Sequence, residues 1–125
     1  MKQLTRAEEQ IMQILWKLDK AFVKEIIAEL PLPKPAYNTV STIVRILETK
    51  GFVGHNSFGK KHQYFPLIDK AEYRKSRFSD FVNNYFGNSY RSVASFFTRE
   101  EDLTLEELEE IQRLIAKEIK KKKNG

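Results

Sequence analysis

The stretch Tyr37–Gly51 constrains this chain more than any other, because its residues divide a single helix into two unlike faces. Val40, Ile43, Val44 and Leu47 recur at the three- and four-residue spacing of one helical side, with Tyr37 and Ile46 beside it, so that side must pack on a core. The opposite side carries Asn38, Thr39, Ser41, Thr42, Arg45 and Thr49. A merely solvated helix face is usually stocked with Glu and Lys. Short hydroxyl and amide groups instead let a helix axis come close to DNA base edges, and one long cation such as Arg45 can form a two-pronged pair with guanine. Pro31, Pro33 and Pro35 stand before the helix and Gly51 stops it.

Around that helix the chain reads in order. Thr5 with Glu8 forms a capping box, and Ala7, Ile11, Ile14, Leu15 and Leu18 trace one face of a first helix over 5–18, widened by Met12 and by Trp16 as core filler. Asp19-Lys20 is a turn, Ala21–Val23 a short strand, and Lys24–Leu30 a second helix with Ile26, Ile27 and Leu30 inward. Phe52–Asn56 and Lys61–Pro66 read as two strands joined by Ser57-Phe58-Gly59-Lys60, a hairpin with a basic tip. Three helices followed by a hairpin is the winged helix-turn-helix order.

At Asp69 the character changes. Tyr73, Phe78, Phe81, Val82, Tyr85 and Phe86 form an aromatic helical stripe, Gly87-Asn88-Ser89 breaks it, and Tyr90, Val93, Ala94 and Phe97 resume it, with Phe96 alongside. After the acidic turn Glu100-Glu101-Asp102, Thr104 and Glu107 open a last helix bearing Leu105, Leu108, Ile111, Leu114, Ile115 and Ile119, which runs out into Lys120–Lys123. The reading is therefore mainly α with a small β-hairpin: a winged-helix DNA-binding domain over 1–68 and a helical dimerisation domain over 69–125. So many large aromatics on so few helices ask for a second copy of the chain to cover them. Tyr73, Phe78, Phe81, Tyr85, Phe86, Phe97, Leu108, Ile111 and Ile115 are the expected dimer residues.

Charge supports a polyanionic partner and places it. Residues 1–68 hold 10 basic against 6 acidic side chains, whereas 69–125 hold 12 against 11, so most of the excess is N-terminal. Asn38, Thr39, Ser41, Thr42 and Arg45 are expected at bases and nearby backbone, Lys60 and Lys61 at phosphates, with His62 beside them. No cysteine is present, which excludes disulfides and thiolate metal sites and fits a reducing interior. No apolar run approaches the roughly 18 residues of a membrane span, so no membrane insertion is expected. His55 and His62 have no third ligand nearby and read as surface side chains, leaving no metal site. The acidic 100–110 segment lacks any hydroxyl, thiol or basic partner in a catalytic arrangement, and no phosphate-cradling loop or nucleophile elbow occurs. Neither an enzyme nor a cofactor is expected.

These residues carry a resemblance. Leu4-Thr5-Arg6-Ala7-Glu8 with Ile11-Met12 and Leu15-Trp16, then Tyr37–Thr42 through Leu47 and Lys50-Gly51, then Tyr64 with Pro66, together resemble the BlaI/MecI/CopY family of bacterial winged-helix repressors, the penicillinase repressors. The resemblance implies a cytoplasmic homodimer that binds a palindromic operator of a resistance or stress operon and dimerises through its C-terminal helices. It also implies release by a membrane sensor metalloprotease, which in well-known members leads to cleavage just before Glu/Asp-Leu-Ser/Thr. The matching bond here is Phe96–Phe97, ahead of Glu101-Asp102-Leu103-Thr104, with Phe96 where those members carry asparagine. Copper-responsive relatives carry C-terminal cysteine motifs, which this chain lacks. Two rivals stand beside this reading: a winged-helix protein-interaction module that docks a protein through 37–50, and a repressor released by a small apolar ligand among Tyr73, Phe81, Tyr85 and Phe97.

Overall fold

The capping box expected at the start of the chain closes in both directions. The Glu8 N–H donates to Thr5 Oγ1 at 3.1 Å and the Thr5 N–H donates to Glu8 Oε1 at 2.9 Å, which satisfies two backbone donors that a helix start leaves over. In the computed structural model, which describes residues 1–100 and 103–125, this box opens α1 (Arg6–Leu18). There follow β1 (Ala21–Phe22), α2 (Val23–Glu29), α3 (Tyr37–Thr49), β2 (Val53–Phe58), β3 (Lys61–Pro66), α4 (Lys70–Phe86), α5 (Tyr90–Glu100) and α6 (Leu105–Asn124). The fold is mainly α with one small antiparallel sheet, and its first part has the winged helix-turn-helix order.

Two details differ from the sequence reading. The second hairpin strand has the expected bounds, but the first runs from Val53 on to Phe58, leaving a two-residue loop, because Gly59 takes φ +62° at the first loop position and lets Phe58 pair directly with Lys61. The sheet also has three strands, in the order β1-β3-β2, with Ala21 opposite Tyr64 and Phe22 opposite Gln63. The short strand expected over Ala21–Val23 is this β1 without Val23, which opens α2, and it pairs one flank of β3 that would otherwise be an open edge.

The chain divides into two compact units, Met1–Phe78 and Ser79–Gly125. In the first, α1, α2, α3 and the sheet enclose one core in which Met12, Leu15, Ile26, Val44 and Leu47 are fully buried. The first nine residues of α4, up to Phe78, belong to it. Tyr73, expected on a dimer face, is only 4% exposed: its ring meets Trp16 at 5.4 Å and Phe52 at 5.9 Å, and its hydroxyl donates to Glu9 Oε2 at 2.7 Å. Burial, followed by that hydrogen bond to a carboxylate, pushes the Tyr73 hydroxyl up to about 12. Trp16 is half-buried and sends its indole N–H to the Ile68 carbonyl at 2.8 Å, tying α1 to the segment that leads into α4.

In the second unit, Gly87 and Asn88 both take positive φ and end α4, after which the Ser89 hydroxyl caps α5 by accepting from the Ser92 N–H at 3.1 Å. The Thr104–Glu107 capping box opens α6 as expected. Phe81 lies 5.6 Å from Phe86, and Phe86 lies 5.7 Å from Phe96. Among the described residues of this unit, Val82 is the one buried side chain. Glu101 and Asp102 of the expected acidic turn lie outside the described residues.

Candidate nucleic-acid interface

Helix α3 is held by its inner face. Val40, Val44 and Leu47 are buried and Ile43 packs against the same core, so rotation about the helix axis would expose four large apolar side chains. That fixes what the outer face presents. Asn38, Thr39, Thr42, Arg45 and Thr49 are exposed and Ser41 is half-buried, so five of the six polar residues singled out in sequence share the open side. Tyr37 and Ile46, placed beside the core in sequence, are about half exposed and flank the polar strip instead.

The outer face is arranged by its own backbone. The hydroxyls of Thr42 and Thr49 donate to the carbonyls of Asn38 and Arg45, at 2.8 and 3.1 Å, which turns their remaining lone pairs and methyl groups outward. Arg45 Nε donates to the Ser41 carbonyl at 3.4 Å, a contact that uses one of five guanidinium donors. At its N-terminus α3 follows Ala36, which supplies no side-chain cap, and its first turn holds no acidic residue. A helix start of this kind offers backbone N–H groups and a partial positive charge to an anion.

The angle of α3 is set by the turn before it. The Lys34 ammonium donates to the carbonyls of Ile27, Ala28 and Leu30 at 3.0, 2.9 and 2.6 Å, closing the C-terminus of α2 with a cation where the helix dipole favours one. At the other end Gly51 takes φ +85°, a conformation costly for other residues, and turns the chain back into the sheet. Lys50, next to it, meets Glu8 Oε1 at 2.7 Å and the Gln3 carbonyl at 3.2 Å, locking the end of α3 to the start of α1. Burial pushes the Glu8 carboxyl up, but the Lys50 ammonium and the Thr5 hydrogen bonds outweigh it and hold the carboxyl below its ordinary range.

Lys60 sits in the two-residue loop of the hairpin and Lys61 begins β3, both exposed, so the wing presents its cations at its tip as expected. Phe58, also at the tip, is exposed and meets Phe22 edge-on at 5.8 Å. Sequence reasoning did not single out Phe22 or Lys24, which reach the wing from the start of α2. Their local signal was only their place at the short strand expected over Ala21–Val23, which does not say what that strand pairs with. The two histidines, read as separate surface side chains, are stacked with ring centroids 4.1 Å apart. Among the described residues no three His, Cys, Asp or Glu side chains gather as metal ligands, and no helix is long and apolar enough to cross a membrane.

The remaining sequence candidates are in α4 to α6. Phe78 is exposed at the end of the first unit; Phe81, Tyr85, Phe96 and Phe97 are exposed in the second, and Phe86 is half-buried. On α6, Leu108 and Ile115 are exposed and Ile111 is half-buried. The Phe96–Phe97 bond lies inside α5, not in a loop.

The profile of the penicillinase repressor family matches residues 4–117. The methicillin resistance regulatory protein MecI of Staphylococcus aureus (strain N315) is 27% identical over 116 residues, covering 92% of this chain and 94% of that protein. The penicillinase repressor of Bacillus licheniformis is 26% identical over 122 residues, covering 97% and 95%. The solution structure of the DNA-binding domain of the repressor BlaI superposes with a TM-score of 0.50 at 30% identity, over 57% of this chain and 88% of that one. With a family match across nearly its whole length on a winged helix-turn-helix fold, the chain belongs to the penicillinase repressor family, a family of DNA-binding transcriptional repressors and not of enzymes.

Proposed function

We propose that this protein is a cytoplasmic homodimeric repressor that binds a two-fold symmetric operator of a resistance or stress operon. The observation that carries the reading is the split of α3: an inner face locked in the core and an outer face of Asn38, Thr39, Thr42 and Arg45 held open. On this reading the outer face enters the major groove, with Ser41 near the backbone and the wing cations Lys60 and Lys61 on flanking phosphates. Two such heads, held by a dimer of the helical C-terminal part, address grooves about 34 Å apart. The exposed apolar side chains of Phe81, Tyr85, Phe97, Leu108 and Ile115 support a dimer, since a monomer seldom leaves so many uncovered.

Induction follows from the same layout. Cleavage at Phe96–Phe97 by a protease under a membrane sensor would cut the C-terminal helices and lower dimer affinity. Because that bond lies within α5, the helix must open locally before a protease can seat it as an extended chain.

Selecting bound fragments from genomic DNA with the purified full chain tests the proposal, with affinity for the winner measured against salt. A symmetric sequence bound far more tightly than random DNA is the expected result. Arg45→Ala should cost about 1–3 kcal/mol and relax specificity at one base pair of each half-site. Weak, sequence-blind binding would sink the operator reading and turn the 37–50 face into a protein-docking surface.

A further inference from the structure

A groove of about 300 Å³ opens between the beginning of α2, the first residue of α3 and strand β3. Lys24, Lys61 and His62 place three basic side chains on its walls, and Phe22 and Tyr37 add aromatic surface. Glu25 is the acidic residue on its lining, and its carboxylate is engaged in accepting from the Phe22 N–H at 2.8 Å. The groove therefore offers cations and a phenol to an anion, on the flank of the helix whose polar face is proposed to read bases.

His62 is held in place from behind. Its ring lies on that of His55 at 4.1 Å with only 8° between the planes, and His55 Nδ1 pairs with Glu48 Oε2 at 2.5 Å, near the C-terminal end of α3. Tyr64 packs against both rings at 5.7 and 6.1 Å, and the charges of Glu48 and Arg45 reach its hydroxyl. The charged and titratable groups around His62 are thus Tyr37, Arg45 and Glu48 from α3, Lys24 and Glu25 from α2, His55 from β2, and Lys61 and Tyr64 from β3. One carboxylate, Glu48, faces the stacked pair directly.

We propose that this groove seats one backbone phosphodiester of bound DNA, and that the Glu48–His55–His62 stack couples that seating to the uptake of one proton. The proposal rests on the DNA-binding reading above. The physical reason is charge spacing. Glu48 can offset one positive charge on the stacked pair, so a second calls for an anion on the His62 side. A phosphodiester beside His62 supplies the missing negative charge, and the second proton enters from solvent with the DNA. The sign follows: binding strengthens as pH falls through the range in which histidine gains its proton.

The test uses the full chain, its selected operator fragment and a mixed-sequence duplex of equal length, from about pH 6 to about pH 8 and across salt. For the unaltered protein, affinity should rise by up to about tenfold for each unit of pH lowered, the limit for uptake of one proton. His62→Gln should flatten that dependence on both duplexes. Lys24→Gln should reduce the salt slope by about 0.9 on both, the share of one phosphate contact. Histidine ring resonances should move with stoichiometric duplex and not with an equal concentration of inorganic phosphate; the reverse would assign the groove to free phosphate and overturn the proposal. Unchanged pH dependence in His62→Gln, or an unchanged salt slope in Lys24→Gln, would also overturn it while leaving operator recognition standing. Failure of the unaltered chain to bind any duplex would remove the DNA-binding reading and this one with it.

Discussion

The two units spend their apolar residues in opposite ways. In Met1–Phe78, fifteen buried apolar side chains from every helix and strand meet in one cluster, whereas in Ser79–Gly125 Val82 is the one described side chain that reaches full burial. The second unit is not poor in hydrophobic residues: Tyr85 is 75% exposed and Leu105 72%, and Leu114, Ile115 and Ile119 are at least half exposed. A cluster that closes within one chain makes a rigid platform for α3. A stripe that does not close is a surface looking for cover, and its stability depends on what covers it.

Four experiments press on that contrast, beginning with the largest effect. Leu47→Ala removes a fully buried side chain under α3 and should destabilise the first unit by about 2–5 kcal/mol, with no dependence on protein concentration in denaturant melts. A loss below about 0.5 kcal/mol would mean that the platform is looser than its burial implies.

Next comes the lock between α1 and α3. Glu8→Ala leaves Lys50 without its carboxylate and should cost about 1–3 kcal/mol. Because the Glu8 carboxyl is held below the ordinary glutamate value of 4.5, the stability it confers is present above that value and drains away as pH falls through the lowered one. Acid melts of the unaltered chain and of Glu8→Ala should therefore converge as pH falls from 4.5 through the lowered Glu8 value. Curves that stay parallel would show that the pair contributes nothing through ionisation.

For the second unit the sharpest variable is concentration. If a second copy covers the α4–α6 stripe, each tenfold dilution should lower the unfolding free energy of this part by about 1.4 kcal/mol, followed by circular dichroism and by sedimentation. Melts that superimpose at all dilutions would break the contrast and make the stripe a surface for some other partner. The smallest effect is at the helix-turn-helix corner, where Lys34→Met should lose about 0.5–1 kcal/mol by uncovering three carbonyls of α2. It should also leave the second unit unchanged.

Much of the local structure was legible in the residues alone, for a local reason. The Thr5–Glu8 and Thr104–Glu107 boxes, the periodicity of α1 and α3, and the stop at Gly51 all act within one or two turns of chain, and all appear where the pattern put them. The wing was legible in outline and its length was not, since strand ends depend on pairing across the hairpin. At the interface, the exposed polar strip of α3 followed from facing its apolar strip inward. Phe22 and Lys24 could not be found that way, because they reach the wing through a two-residue strand whose partner is more than forty positions away.

What the sequence determined by itself, then, was the list of helices, the Thr5 and Thr104 caps, which side of α3 must be hidden, and the family to which the chain belongs. Only the tertiary structure decided that Tyr73 joins the first core instead of the aromatic stripe it continues, and that Glu8 meets Lys50. It alone also laid His62 on His55. The division has one cause. Caps and periodicity arise from hydrogen bonds and side-chain spacing along a single helix, which a string of residues records directly. A ring stack or an ion pair between distant positions arises only when the backbone path brings them together, and no local pattern marks the partner.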